Sequence, residues 1–513
     1  MTFLELIIFL LVIQLIHFAG TWKLYIKAGR KPWEAIVPIY NAIVLMKIIN
    51  RPTWWVILLF IPVINLLMFP IIWVETARSF GKNTTVDSIL AILSLGLYNY
   101  YLNYVANVTY IEDRSLKPRT EMGEWVSSIA FAIIAATIVH TYIMQPYTIP
   151  TSSLEKSLLI GDFLFVSKFH YGARVPMTTV AAPMVHDSLP FVGTKSYLKK
   201  PQLPYLRIPG FQDIKRNEIV VFNWPTDTVR FFRDRSNIHV DKPIDKKSNY
   251  VKRCVGIAGD SLQIIDGYIF INGKQTVLPD RAKPQYYHKV VTNGQQFSAA
   301  TLKRYEVTEG SPFNGEFYYL NLTDANAARL KNNPIVKSVT KQLTPGGNNN
   351  DTIFPHSEQY KWSVDNFGPI YIPEAGKTVA LNSTSIPFYK RIIEEYENND
   401  LTINGDEIFI NGKLADSYTF KQDYYWMMGD NRHNSEDARY WGYVPFDHVV
   451  GKPVFVWFSW DTNGQGIANK IRWDRVFTTV HGDGKPVSYL YYFIGAMLLW
   501  YGISIYRKRK KGE

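Results

Sequence analysis

The sequence nearly lacks cysteine: Cys254 is the single one among 513 residues. One cysteine excludes an intramolecular disulfide framework. Its thiol lies two residues after Lys252 and could indicate a thiol protease, but the apolar neighbours Val255 and Ile257 favour a buried structural cysteine.

Histidine is also scarce, and the ten histidines show neither His-x-x-x-His nor a Glu-flanked metal spacing. Zinc-finger, helix-turn-helix and RNP patterns are absent too. The sequence therefore predicts no metal, no other cofactor and no nucleic-acid partner. Much of the net charge of +12 lies beside apolar runs, where it is the positive-inside signal of membrane proteins: Lys23, Lys27, Arg30, Lys31, Lys47 and Arg51, and Arg507, Lys508, Arg509, Lys510 and Lys511.

Charged residues are missing from two runs of the length that a bilayer-spanning helix needs, ~20 residues. These runs are residues 125–144 and 487–506. Three further candidate spans lie near residues 3–19, 54–74 and 88–105. The first lacks a basic flank and a cleavage site, so a retained span is favoured over a signal peptide. Residues 35–49 are too short to span and are predicted to be interfacial or re-entrant.

Five spans fix a topology when both basic clusters are placed on the cytoplasmic side. The loop of residues 20–53 is then inside and the loop of residues 75–87 is outside. Residues 1–124 form an N-terminal polytopic membrane region, followed by the anchor. Residues 145–486 form a large extracytoplasmic domain, and residues 507–513 form a basic cytoplasmic tail.

The extracytoplasmic block is predicted to be mainly β. Three short runs of β-branched and aromatic residues are typical of strands: residues 162–168, 218–224 and 452–460. Residues 266–274 and 405–413 resemble each other, and both suit a β-hairpin closed at Asn-Gly. The Asn/Gly-rich residues 344–351 predict a loop, and residues 386–397 predict a helix.

Three motifs follow the anchor in order: Ile-Pro-Thr-Ser-Ser at 149–153, Tyr-Val-Lys-Arg-Cys-Val-Gly-Ile-Ala-Gly-Asp at 250–260, and Met-Met-Gly-Asp-Asn-Arg-His-Asn-Ser-Glu-Asp-Ala-Arg at 427–439. A serine, a lysine and a polar supporting segment in this order resemble the bacterial type I signal peptidases. The resemblance covers roughly residues 125–460. It implies a Ser–Lys endopeptidase that removes signal peptides from exported preproteins at the outer face of the cytoplasmic membrane.

A serine hydroxyl needs a base to become a nucleophile, and lysine can serve when burial lowers its pKa towards ~7–8. The resemblance assigns the nucleophile to Ser153 and the base to Lys252. It assigns oxyanion binding to the Ser153 N–H and the Thr151 hydroxyl. The sequence departs from the family pattern at Leu154, where methionine is usual, and at Lys156, where proline is usual.

In the third motif, the resemblance implies that Ser435 orients the lysine and that Asp437 and Arg439 form an ion pair behind it. The remaining support residues are Gly429, Asp430 and Asn431. His433 lies within the motif and is predicted to be exposed.

The resemblance further implies a preference for small residues at substrate positions −1 and −3, and a variable second β-subdomain at about residues 261–422. The predicted pocket lining is Ile149, Leu158, Leu164 and Val251. Expected partners are secretory preproteins, the lipid bilayer and the protein-export machinery.

Three alternatives belong to other classes: a catalytically dead scaffold, a Ser–Lys self-cleaving repressor that binds DNA, and a transporter with an appended domain. The presence of Ser153 and Lys252 argues against the scaffold. Five spans and the missing recognition helix argue against the repressor. Only Glu5 lies inside a predicted span, which argues against the transporter.

Overall fold

The computed structural model describes residues 3–511 except 231–235, 237, 314–316, 348–350, 463 and 465. The chain divides into two units. The first contains Met1–Met144, Ala173–Ile208 and Thr228–Lys247. The second contains Gln145–Gly172, Pro209–Asp227 and Ser248–Glu513.

The first unit is built on helices. They are α1 (Phe3–Lys27), α2 (Tyr40–Ile48), α3 (Trp55–Leu59), α4 (Ile64–Ser79), α5 (Thr85–Leu93), α6 (Tyr98–Tyr104) and α7 (Glu121–Ile138). A π-helical turn, Val139–Ile143, extends α7. Within the described residues, Leu4–Lys27 and Glu121–Ile143 are the helices long and apolar enough to cross a membrane.

Two of the predicted spans are not continuous helices. Residues 54–74 divide into α3 and α4, with Pro62 in the break and Val63 at φ 69°. Proline lacks the N–H that a continuing helix would use there. Residues 88–105 divide into α5 and α6 around Leu95 and Gly96, both in the left-handed region. The number of membrane crossings therefore stays a prediction.

Glu75 anchors the packing of the first unit. Its buried carboxylate accepts hydrogen bonds from Arg51 and Arg78 at 2.9 Å each, and it also pairs with Arg114. A buried carboxylate is tolerated when it is paired and hydrogen-bonded. This cluster ties α4 to the segments on either side of it.

The second unit is mainly β, as predicted. Its strands are β1 (Met144–Thr148), β2 (Asp162–Ser167), β3 (Ile219–Asn223), β4 (Asn249–Gly256), β5 (Ser261–Ile265), β6 (Tyr268–Ile271), β7 (Lys274–Gln275), β8 (Tyr286–Thr292), β9 (Gly310–Phe313), β10 (Phe317–Leu322), β11 (Val336–Lys341), β12 (Phe367–Tyr371), β13 (Thr378–Ala380), β14 (Leu401–Asn404), β15 (Glu407–Ile410), β16 (Lys413–Leu414), β17 (Ser417–Thr419), β18 (Tyr424–Met428), β19 (Val444–Pro445), β20 (Val449–Ser459) and β21 (Thr478–Thr479). Its helices are α8 (Ala299–Arg304), α9 (Asp324–Lys331), α10 (Ile386–Arg391), α11 (Ala438–Trp441), α12 (Ile467–Lys470) and α13 (Leu490–Lys511).

The main sheet has the order β1-β2-β20-β3-β4-β18-β19, and β21 also pairs with β20. Side chains alternate between the two faces of a strand, and β3 shows that both faces are buried. Ile219 and Val221 pack into one apolar cluster, whereas Val220 and Phe222 pack into another. Fully burying such a side chain stabilises the fold by about 1.5–3 kcal/mol. The sheet is thus a rigid platform for residues on its strands.

The strands from β5 to β17 form four separate sheets and, within the described residues, pair only among themselves apart from an isolated bridge between Gln285 and Asn431. The sheet of β8 to β11 has its own apolar cluster, which includes Val290 and Leu320. Residues 261–422 thus form β structure that is separate from the main sheet.

The strand, hairpin and helix predictions for the β-rich block are confirmed, whereas the loop predicted at residues 344–351 lies partly outside the described residues. Residues 162–168, 218–224 and 452–460 correspond to β2, β3 and β20. The two Asn-Gly pairs join β6 to β7 and β15 to β16, and each of these residues has a positive φ, as the tight hairpin turn requires. The helix predicted over residues 386–397 is α10 followed by a π-helical turn, Ile392–Tyr396.

Candidate active site

Lys252 lies on β4 in the middle of the main sheet, flanked by β3 and β18. Its side chain is buried, and its Nζ donates a hydrogen bond to Ser435 Oγ at 3.1 Å. Burial lowers the pKa of Lys252 to about 8, and the charges of Asp437 and Glu436 oppose this shift. The lysine is therefore partly neutral near physiological pH, which is the form that can accept a proton.

The segment of residues 429–439, here called the lysine support, contains a buried ion pair. Arg439 Nε donates to Asp437 Oδ1 at 2.8 Å, and Arg439 also donates to the Arg432 carbonyl at 2.6 Å. The second Asp437 oxygen accepts the Gly429 N–H at 3.0 Å. Burial alone would raise the pKa of Asp437, but Arg439, Lys252 and the Gly429 N–H together outweigh it and hold this pKa low.

A second buried pair joins β4 to the lysine support. Arg253 donates to the two carboxylate oxygens of Asp430 at 2.8 and 2.6 Å. Asp430 also accepts a hydrogen bond from Ser157, in the turn that follows Ser153. Arg253, the residue after Lys252, is thus linked through Asp430 to the turn that follows Ser153.

Gly429 shows how closely the serine segment approaches Ser435. A Cβ atom added at Gly429 would lie 2.2 Å from Ser435 Oγ and 2.5 Å from the Ser153 carbonyl oxygen. Neither contact is sterically possible, so glycine is required at this position. The Ser153 backbone and the Ser435 hydroxyl, which contacts Lys252, therefore both lie against Gly429.

Hydrogen bonds from the lysine support hold the serine segment at its backbone. The Asn431 N–H donates to the Ser153 carbonyl at 3.0 Å, and Asn431 Nδ2 donates to the Ser152 carbonyl at 3.0 Å. The turn continues with Leu158 N–H bonded to the Leu154 carbonyl at 2.8 Å. Leu154 is buried, so it fills the apolar role expected of the usual methionine.

Ser153 and Thr151, the residues that carry the proposed catalytic hydroxyls, are only partly buried. Among the described residues, neither hydroxyl has a hydrogen-bond partner, and Lys252 is bonded to Ser435 rather than to Ser153. Catalytic hydrogen bonds in unliganded enzymes often tighten only when substrate binds. The nucleophile and oxyanion assignments stay predictions on this geometry.

Glu309, which the sequence did not single out, lies beside the serine segment. Its carboxylate accepts hydrogen bonds from Asn431 at 2.8 Å and Asn434 at 2.9 Å, and Ser152 also donates to it. Burial opposes ionisation, but these hydrogen bonds outweigh it and lower the pKa of Glu309. Glu309 directly precedes β9 and carries no local motif, so only the fold could identify it.

Glu155 is a second carboxyl near the serine that no motif predicted. Burial raises its pKa to about 7, and the neighbouring charges of Glu309 and Asp162 contribute to this shift. Glu155 therefore titrates close to the pH range in which Lys252 does. Any pH profile has to separate these two groups.

The prediction that His433 is exposed was wrong. Its side chain is only 9% exposed, and Nε2 lies 2.9 Å from an Asp365 oxygen. Its Nδ1 accepts the Tyr287 N–H at 3.0 Å. The histidine faces β8 because the strands of residues 261–422 cover this side of the lysine support, which the motif alone does not reveal.

The predicted pocket lining belongs to one apolar cluster, together with Leu154 and residues of neighbouring strands. The members of this lining are Ile149, Leu158, Leu164 and Val251. The first three are buried and the last is partly buried. Their contact with a substrate stays a prediction.

Cys254 is fully buried, as predicted, and burial raises the pKa of its thiol. The nucleophilic form of cysteine is the thiolate, so this environment disfavours a thiol protease. Among the described residues, no group of three or more histidine, cysteine, aspartate or glutamate side chains is placed to hold a metal ion.

Comparison with known proteins identifies the family of this chain. The family model of signal peptidase, peptidase S26, matches residues 122–316 and 372–460. A family of unknown function matches residues 33–113. Signal peptidase I of Buchnera aphidicola subsp. Acyrthosiphon pisum is 25% identical over 414 residues, which cover 76% of this chain and 97% of that protein. Signal peptidase I of Haemophilus influenzae is 22% identical over 378 residues, with 72% and 79% covered.

The peptidase family match covers more than half of the 513 residues, so the chain belongs to the signal peptidase, peptidase S26, family. It is a serine endopeptidase of the signal peptidase type, in agreement with the resemblance seen in its motifs.

Proposed function

We propose that this peptidase cleaves signal peptides by a dyad mechanism in which Ser153 is the nucleophile and Lys252 is the base. The observation that carries the proposal is the buried Lys252, bonded to Ser435 directly beside the Ser153 backbone. Desolvation favours its neutral form. Ser435 holds the lysine in place, and Asp437 and Arg439 hold the segment that carries Ser435.

In the first half of the reaction, neutral Lys252 Nζ takes the proton of Ser153 as Oγ attacks the scissile carbonyl carbon. The negative charge that develops on the carbonyl oxygen is stabilised by hydrogen-bond donors aimed at it. The Ser153 N–H and the Thr151 hydroxyl are the proposed donors. Lys252 then gives its proton to the departing amine, which leaves the signal peptide as an ester on Ser153.

In the second half, a water molecule attacks the ester carbonyl while Lys252 accepts one of its protons. The ester bond to Ser153 breaks, Oγ regains a proton from Lys252, and the signal peptide leaves as a carboxylic acid. The same lysine thus serves both halves, as general base and then as general acid. No metal or other cofactor takes part.

We further propose that the preferred substrates carry small residues at positions −1 and −3. The support is the family resemblance and the closely packed apolar cluster of Ile149, Leu158, Leu164 and Val251 near the serine. A closed cluster leaves little room for large side chains.

We place residues 145–486 on the extracytoplasmic side of the bacterial cytoplasmic membrane, held by the apolar helix of Glu121–Ile143 and, because residues 487–506 carry no charge, by α13. The basic residues at the end of α13 favour a cytoplasmic tail. In spheroplasts, external protease should degrade residues 145–486 and spare the tail. Protection of residues 145–486 in intact spheroplasts would contradict this topology.

The central test uses the purified full-length protein and a secretory preprotein. Sequencing the N-terminus of the product should reveal one cut directly after the signal peptide, after a small residue. Changing the −1 residue of the preprotein to tryptophan should stop the cut. Cleavage scattered through the mature region would argue against the proposed specificity.

A further inference from the structure

A cavity of about 360 Å³ lies beside the turn that follows Ser153, in the second unit. Its walls come from that turn, from the loop before β8 and from the segment around β21. The last of these segments follows residue 460, where the peptidase family match ends. The cavity is therefore partly built from residues that the peptidase family match does not include.

The lining of this cavity is mostly basic. Five cationic side chains face one carboxylate: Lys156, Arg281, Lys283, Arg475 and Lys485 against Asp280. Arg475 is neutralised because it pairs with the buried Asp162. The Asp280 carboxylate accepts the Gly484 N–H at 3.0 Å. Four cations therefore remain against one carboxylate that already has a partner.

Arg281 is held without a counter-charge. Its guanidinium donates to the carbonyl oxygens of Thr479 at 2.7 Å, His481 at 2.8 Å and Gly484 at 3.2 Å. Carbonyl oxygens fix the orientation of a guanidinium but leave its positive charge in place. Among the described residues, Arg281 forms no ion pair, so this charge is available to an anion.

Lys156 gives the second, independent sign of a missing ligand. Its Nζ is shielded from solvent and has no hydrogen-bond partner within the described residues. The carboxylates that act on its charge are those of Glu306 and Glu155, neither of which lines the cavity. A shielded ammonium without an acceptor is costly, and Lys156 lines the cavity, so an anion bound there would lie beside the residue that lacks an acceptor. Lys156 is also where the sequence departs from the family pattern.

The position of the cavity along the chain indicates where the anion comes from. Pro486 lines the cavity, and α13 begins four residues later at Leu490. Four residues span at most about 14 Å. Tyr489, Tyr491 and Tyr492 are exposed around the start of this helix, and tyrosine is enriched at membrane–water interfaces. With α13 as the membrane anchor proposed above, the cavity lies within this distance of the lipid headgroups.

We propose that this cavity binds the phosphate of an anionic phospholipid headgroup. Basic pockets at the membrane surface are suited to such groups, and the guanidinium of Arg281, held in place by its carbonyl partners, keeps its positive charge for a phosphate oxygen. The lipid source rests on the membrane location proposed above, whereas phosphate binding rests only on the cavity itself.

The test measures thermal unfolding of the full-length protein in a neutral detergent at constant ionic strength. A ligand that binds only the folded state raises the melting temperature. Three probes are titrated: short-chain phosphatidylglycerol, short-chain phosphatidylcholine and inorganic phosphate. Phosphatidylglycerol should raise the melting temperature to a saturating value. The apparent affinities of phosphatidylcholine and inorganic phosphate should be at least tenfold weaker.

Lys283→Gln/Lys485→Gln is the main variant, because both side chains are exposed and their loss should not disturb folding. This double variant should weaken the binding of phosphatidylglycerol at least tenfold, and Lys156→Met should do the same. Lys413→Gln, an exposed lysine of β16 outside the cavity, is the matched control and should bind as the parent protein does.

Unchanged affinity in Lys283→Gln/Lys485→Gln would overturn the cavity as the site. Equal protection by inorganic phosphate would overturn the lipid source and identify a soluble anion as the ligand. No substrate is present, so neither result depends on the role of Ser153 in cleavage.

Discussion

Two regions of the second unit hold the proposed active site, and they do so by different means. The ion pair of Asp437 and Arg439 in the lysine support is buried, and the two side chains neutralise each other out of contact with water. Glu309 and its partners Ser152, Asn431 and Asn434 are here called the serine clamp; Asn431 is buried, whereas the other three remain at least partly exposed. The lysine is thus fixed by the core, and the serine segment is fixed by Glu309, from residues 261–422, together with Asn431 and Asn434 of the lysine support.

This difference has consequences for the effect of mutations. Removing one partner of a buried ion pair leaves an uncompensated charge in the interior and typically costs about 3–5 kcal/mol. A partly exposed hydrogen-bonded carboxylate is worth less, because water replaces its lost partners. The lysine support should therefore govern folding as well as catalysis, whereas the serine clamp should affect only the position of the nucleophile.

The largest expected effect is that of Ser153→Ala. Loss of the nucleophile should reduce cleavage by roughly 10⁴- to 10⁶-fold while the melting temperature stays within a degree or so. Preprotein cleavage and thermal unfolding of the same preparation provide the two measurements. An active Ser153→Ala protein together with an inactive Ser152→Ala protein would move the nucleophile by one residue.

Next in size is Lys252→Arg, which should lower the turnover rate by about 10²–10⁴-fold, the usual contribution of a general base. Arginine keeps the charge but does not deprotonate in proteins. In the parent protein, activity should rise as the pH passes through about 8, because Lys252 is charged below its pKa and neutral above it.

Glu155→Gln is the control for this pH profile, since burial raises the pKa of Glu155 to about 7. The rise near pH 8 should persist in Glu155→Gln. If it disappears there, the titrating group is Glu155, and the proposed role of Lys252 is wrong.

Asp437→Asn should have the largest effect on stability. It removes the counter-charge of the buried Arg439 and should lower the free energy of unfolding by about 3–5 kcal/mol. Denaturant unfolding measures this loss. Glu395→Gln is the matched control, because the pair of Arg391 and Glu395 is 3.7 Å apart and exposed, and should change stability by at most about 1 kcal/mol. Equal effects in the two variants would remove the contrast between buried and exposed pairs.

The smallest effect is expected for Glu309→Gln in the serine clamp. The change weakens charge-assisted hydrogen bonds, and we expect kcat to fall about tenfold, equivalent to about 1.4 kcal/mol, with KM and the pH profile unchanged. Ser152→Ala alone should cost less than this. The double variant should lose less than the sum of the two, because the two side chains share one network. Additive losses would show that Glu309 acts elsewhere.

Local chemistry made much of the fold predictable. The two hairpins followed from Asn-Gly pairs, and β2, β3 and β20 followed from runs of β-branched and aromatic residues. Both patterns depend on neighbours in the chain, so sequence alone carries them. The apolar runs predicted helices as well, but not their breaks: Gly96 and Val63 adopt left-handed conformations that the apolar composition does not encode.

For the site, sequence motifs by themselves determined which residues to consider: Ser153, Lys252, Ser435, and the pair of Asp437 and Arg439. Only the tertiary structure decided how they are held. It buried Lys252 and thereby lowered its pKa, brought Gly429 against the Ser153 carbonyl, turned His433 inward, and placed Glu309 beside the serine. The physical reason is that burial and hydrogen bonding join residues distant in the chain, and a local pattern does not specify which distant strand will cover it.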